Sequence, residues 1–66
     1  MKNSVIREMS TAELQNKLRE EQVVNTRLRL GHTVSPLENP MRLRESRRVI
    51  ARMNTELVRR QKEQNN

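Results

Sequence analysis

The 66-residue chain has no cysteine, no phenylalanine, tyrosine or tryptophan, a single histidine, a single glycine and only two prolines. Each shortage excludes something. Without cysteine there is no disulfide, no thiolate nucleophile and no sulfur-ligated metal. One histidine, His32, builds neither a metal cluster nor a catalytic triad, and no carboxylate pair is placed for acid–base work. An enzyme is therefore the weakest reading, and no catalytic residue, metal or cofactor is expected. Without aromatics there is no stacking platform for unpaired bases, nor a Trp or Phe to anchor a helix in a bilayer. No apolar run reaches the length of a transmembrane helix, and no signal-peptide core follows the N-terminus. The expectation is a cytoplasmic protein with neither a membrane partner nor a small-molecule substrate. Apolar residues are 32% of the chain, so the core must be thin and the margin of stability small.

What the chain does hold is positive charge. Fourteen Lys and Arg stand against eight Asp and Glu, a net +6, with a pI near 11.4. This balance favours an anionic partner: nucleic acid, a membrane surface or an acidic protein. Residues 1–33 carry six basic and four acidic groups, and residues 34–66 carry eight and four. The excess is concentrated in the second half.

The pattern of apolar residues is helical. Ser4 starts a short helical turn within residues 1–9, too short to be stable alone because helix nucleation is costly. Ser10-Thr11-Ala12-Glu13 reads as a capping box, with Met9 and Leu14 at the two staple positions. It opens a helix over about residues 10–30. At ~100° per residue Leu14, Leu18, Val24 and Leu28 share one side, interrupted by Glu21 and Asn25. Ala12, Val23, Thr26 and Leu30 form a second strip roughly opposite, so this helix is expected to touch something on both faces. Gly31 suits the position just past a helix end, and the break covers 31–39, with His32 to Ser35 as linker. Asn39 then reads as the cap of a second helix, with Pro40 at its first position, running over about 40–62. Residues 63–66 form a polar, frayed tail. The result is a single all-α domain over 1–66: a long antiparallel, coiled-coil-like two-helix hairpin with a short N-terminal helical turn.

The second helix carries the functional signal. Leu43, Ser46, Ile50, Met53 and Leu57 recur at 3,4 spacing as a packing seam. Arg44, Arg48, Arg52 and Arg59 fall on the opposite side, with Glu45 and Glu56 at the edge of that stripe and few carboxylates placed to neutralise it. Unneutralised guanidinium has most value against phosphate, where its planar fork engages two oxygens. The residues this pattern points to for phosphate binding are Arg42, Arg44, Arg47, Arg48 and Arg52, with Lys2, Arg27 and Arg29 secondary. Recognition would be of backbone and shape, by charge neutralisation and counterion release.

Several stretches also resemble one family. Met1-Lys2, Arg7-Glu8-Met9-Ser10, Glu13-Leu14, Lys17-Leu18-Arg19-Glu20 and Leu28-Arg29-Leu30 are similar to bacterial forms of the twenty-ninth protein of the large ribosomal subunit, the universal L29 family. So are Leu37-Glu38-Asn39-Pro40, Arg42-Leu43-Arg44 and Arg47-Arg48-Val49-Ile50-Ala51-Arg52. Ser35-Pro36 ahead of the break resembles the Bacteroidetes variant. The resemblance covers Met1 to about Arg60. It departs at Glu21, Asn25, Thr26 and His32, where the family has bulky apolars. It implies a structural role on the large subunit near the peptide exit tunnel, bound to the first domain of large-subunit ribosomal RNA. It also implies the neighbouring twenty-third large-subunit protein as a contact, with nascent-chain factors docking nearby. The alternative is a basic coiled-coil or amphipathic helix module that binds an acidic protein or a membrane surface.

Overall fold

Residues 2–31 and 35–64 are described by the computed structural model, and they form three helices: α1 (Asn3–Glu8), α2 (Thr11–Leu30) and α3 (Asn39–Gln64). His32, Thr33 and Val34 of the expected linker, and the last two residues of the expected frayed tail, lie outside the described residues. Local sequence explains where α2 begins and ends. Ser10 is extended (φ −65°, ψ 159°), and its hydroxyl accepts from the Glu13 N–H at 3.2 Å. Only this half of the capping box forms. At the other end Gly31 takes the left-handed conformation (φ 70°), which a side chain would strain, and its N–H closes onto the Arg27 and Leu28 carbonyls.

The two long helices lie side by side and antiparallel, because they are tied at both ends. At the loop end the Asn39 side-chain amide donates to the Leu28 carbonyl at 2.6 Å. At the far end the Arg60 guanidinium donates to the Thr11 hydroxyl at 3.2 Å. The hairpin measures 45 × 17 × 16 Å, and α1 folds back against α3.

The start of α3 differs from the sequence reading. The Glu38 carbonyl already accepts from the Arg42 N–H at 3.1 Å, and the Ser35 carbonyl accepts from the Asn39 N–H at 3.0 Å. Glu38 therefore occupies the cap position, and Asn39 is the first helical residue even though a proline follows. Its side chain is free to bond across to α2 rather than to its own helix. Pro40 loses nothing one place further in, because none of the first N–H groups of a helix has an intrahelical partner. At its other end α3 continues through Glu63 and Gln64, two residues beyond the expected end, with Glu63 paired to Arg59.

The core lies away from the loop, where all three helices meet. Ile6 from α1, Leu14 from α2 and Met53 from α3 are fully buried, with Met9, Leu18, Val49 and Leu57 packed around them. Met9 thus packs against the cluster to which Leu14 belongs, the two residues at the staple positions. The seam of α3 is wider than the 3,4 pattern: Ser46, Met53 and Glu56 are buried, and Leu43, Val49, Ile50, Leu57 and Arg60 are half-buried. The loop half is poorer, with Leu28 its one buried apolar residue among those described. There the Asn25 amide nitrogen and the Ser46 hydroxyl are buried without a hydrogen-bond partner, which weakens the contact. The second apolar strip of α2 is not buried by the described residues: Ala12, Val23, Thr26 and Leu30 are all exposed.

Candidate nucleic-acid interface

The interface follows from how α3 is packed. The α2 helix covers one side along the length of α3, and residues one turn apart on the uncovered side recur about every 6 Å. Arg44, Arg48 and Arg52 form such a row, and all three are exposed. Among the described residues no carboxylate lies within ion-pair distance of Arg42, Arg44, Arg47 or Arg48. That leaves these guanidiniums to the solvent or to an anion.

The eight expected RNA-binding residues do not all share this face. All are exposed, but Arg47 is turned about 60° from Arg44, and Arg42 is about 160° away. Arg42 lies on the α2 side, in a groove with Glu21, Glu45 and Ser46. Arg27 and Arg29 close the last turn of α2, where Arg29 flanks a groove at the loop with Pro36, Asn39 and Pro40. Lys2 stands at the start of α1, its carbonyl accepting from the Val5 and Ile6 N–H groups at 3.1 and 3.2 Å. The structure brings together Arg44, Arg48 and Arg52 on one face of α3 and places Arg47 beside them, whereas Lys2, Arg27, Arg29 and Arg42 are not part of that row.

Arg59, read as part of the stripe, is engaged within the chain. It pairs with Glu56 at 2.7 Å and with Glu63. Glu56, placed by the wheel at the stripe's edge, is only 6% exposed. The Arg59 hydrogen bonds hold its carboxyl below the ordinary glutamate range. Burial opposes this, and the positive fields of Arg59, Arg60 and Arg7 add to the lowering. A depressed carboxyl stabilises the fold above its unfolded value of about 4.3 and ceases to do so as pH falls through the lower folded value. The stability difference between the native chain and Glu56→Gln should therefore hold from pH 7 to about pH 5 and close under more acid conditions. Urea titrations followed by circular dichroism at each pH check this.

Arg60 is the residue that the charge pattern hid. It is half-buried, and besides Thr11 its guanidinium donates to the carbonyls of Ile6 (3.4 Å), Arg7 (3.2 Å) and Met9 (2.7 Å). These carbonyls end α1 and begin the turn into α2, so one side chain caps the short helix and holds it on α3. A signal was present: Arg60 follows Met53 and Leu57 at seam spacing, an inward-facing register for a cation.

The hairpin with one long helix faced by arginine places the chain in a class by its shape and charge, the small basic all-α hairpin proteins. The comparisons with known proteins agree. The sequence model of the family described as Ribosomal L29 protein matches residues 4–60. The large ribosomal subunit protein uL29 of Flavobacterium johnsoniae is 46% identical over 61 residues, covering 92% of this chain and 97% of that one. Its counterpart in Bacteroides fragilis strain YCH46 is 47% identical over 66 residues, covering 100% of this chain and 98% of that one. No solved structure gives a significant match. The chain belongs to the ribosomal L29 protein family, whose members are structural proteins and not enzymes.

Proposed function

We propose that this protein is a structural constituent of the large subunit of the cytoplasmic ribosome and binds large-subunit ribosomal RNA through the arginine face of α3. The observation that carries the reading is the exposed row of Arg44, Arg48 and Arg52, with no carboxylate paired to Arg44 or Arg48 among the described residues. Guanidiniums in this arrangement neutralise closely spaced phosphates and release condensed counterions. The relatives' names place them in the large ribosomal subunit, which supplies the anionic polymer that such a face requires. The family resemblance refines the reading: contact with the first RNA domain, a site near the exit of the peptide tunnel, the twenty-third large-subunit protein as neighbour, and nascent-chain factors nearby.

Replacing Arg44, Arg48 and Arg52 together by glutamine should weaken binding to a transcript of the first RNA domain. It should also flatten the log–log salt dependence by roughly two to three units. Titrations between 50 and 200 mM salt read both quantities. An unchanged slope, or equal affinity of the native chain for anionic vesicles, overturns the assignment.

A further inference from the structure

The row of arginines runs into a cleft that the charge pattern of α3 alone does not reveal. Between α1 and α3 lies a groove of ≈ 270 Å³ with Ile6 and Ala51 among its lining. Asn3 and Arg7 stand on its α1 side, and Arg52, Thr55 and Arg59 on its α3 side. Three guanidiniums thus face one carboxylate, that of Glu56, which is nearly buried and already engaged by Arg59 and Arg60. Arg7 makes no hydrogen bond or ion pair through its side chain among the described residues. Thr55 donates its own proton to the Ala51 carbonyl at 2.8 Å and Arg59 is held by Glu56 and Glu63, so the lining donors without a partner among the described residues are the Asn3 amide and the Arg7 guanidinium.

We propose that this cleft holds a backbone phosphate of the bound RNA between Arg7 of α1 and Arg52 of α3, so that RNA binding and the docking of α1 reinforce each other. The proposal rests on the RNA-binding reading above. Arg52 is both the last member of the exposed row and a wall of the cleft, so a strand that follows the row arrives there. The cleft exists only while α1 is docked, and Arg60 docks it by binding the backbone carbonyl of Arg7 itself at 3.2 Å. A phosphate bound across both walls binds only the docked state and stabilises it by mass action. A strongly charged, two-sided clamp also suits a diester better than a peptide carboxylate, since two guanidiniums can engage separate oxygens.

The experiment uses the full chain and a transcript of the first RNA domain, with four variants: Arg7→Gln, Arg60→Met, the two combined, and Arg44→Gln with Arg48→Gln. Arg7→Gln should lower affinity by roughly three- to tenfold at 0.1 M salt and reduce the salt slope by about one unit. Its circular dichroism should be unchanged, because the side chain is exposed. Hydrogen exchange should show the α1 amides gaining protection on RNA binding in the native chain, and gaining less in Arg7→Gln. In the Arg60→Met background, where the cleft has lost its α1 wall, Arg7→Gln should add little. Equal cost of Arg7→Gln in both backgrounds, with the α1 amides exchanging faster in Arg60→Met, overturns the cleft, because Arg7 then acts as a free cation. No effect of Arg7→Gln, while Arg44→Gln with Arg48→Gln lowers affinity and slope, overturns the cleft and leaves the RNA reading standing. No effect of either set overturns both.

Discussion

Replacing Arg60 by methionine is expected to release α1 from the hairpin. The substitution keeps most of the apolar stem but removes the guanidinium bonds to the Ile6, Arg7 and Met9 carbonyls and to the Thr11 hydroxyl. A charge-assisted hydrogen bond contributes roughly 1.5–3 kcal/mol, and bonds made by one group do not add fully, so about 3 kcal/mol is the expected loss. In a domain of this size each kcal/mol moves the melting midpoint by about 4–8 °C, which amounts to a shift of roughly 15 °C. Undocking also draws Ile6 out of the cluster it forms with Leu14 and Met53, so the far end of the hairpin loosens as well. The check is hydrogen exchange on α1 beside a thermal melt. If the α1 amides exchange no faster in Arg60→Met, the docking is carried by Ile6 and Met9 instead. Arg59→Met gives the contrast, since that side chain is half exposed and bonds only within α3.

Leu43→Pro should be the most damaging change near the break. Proline there removes the N–H that would bond the Asn39 carbonyl and clashes with it, a cost of about 3 kcal/mol. It also deletes a half-buried seam residue where Leu28 is the one buried apolar residue described. Asn39→Ala should cost less, about 1 kcal/mol for the lost bond to the Leu28 carbonyl, because that carbonyl still accepts from the Gly31 N–H at 3.1 Å. Pro40→Ala should be close to neutral. Asn39→Asp separates the two roles this residue could have. Aspartate serves as well as asparagine at a helix cap, but it cannot donate to a carbonyl. The observed geometry requires Asn39→Asp to be worse than Asn39→Ala, measured as helicity and urea midpoint of the RNA-bound chain. An Asn39→Asp variant as stable as the native chain would return Asn39 to the cap.

Much of the architecture is legible because it is local. Ser10 begins α2, Gly31 ends it, and periodic apolar residues give each long helix an inward face. All of these act within a turn or two, so spacing alone exposes them. The arginine row is legible for the same reason, since residues four apart share a helical face whatever lies nearby. The expectations for Asn39 and Glu56 differ from the structure because each depends on a second element. The Asn39 side chain reads as a cap because the sequence does not show the Leu28 carbonyl within its reach across the loop. Glu56 reads as a surface charge because the wheel of α3 contains no α1, whereas the pairing of Arg59 with Glu56 and Glu63 is at i,i+3 and i,i+4 spacing and is legible within α3 itself.

By itself the sequence determined an all-α hairpin, a basic outer face on its second helix, and a family resemblance that the comparisons establish. These depend on backbone geometry and side-chain period, which neighbouring residues set. Only the tertiary structure decided which arginines face outward and which hold the chain together. That depends on α1, six residues that could not stay helical alone. Once docked, they bury Ile6 against Met53, turn Arg60 from a surface cation into a clamp, and place Arg7 opposite Arg52.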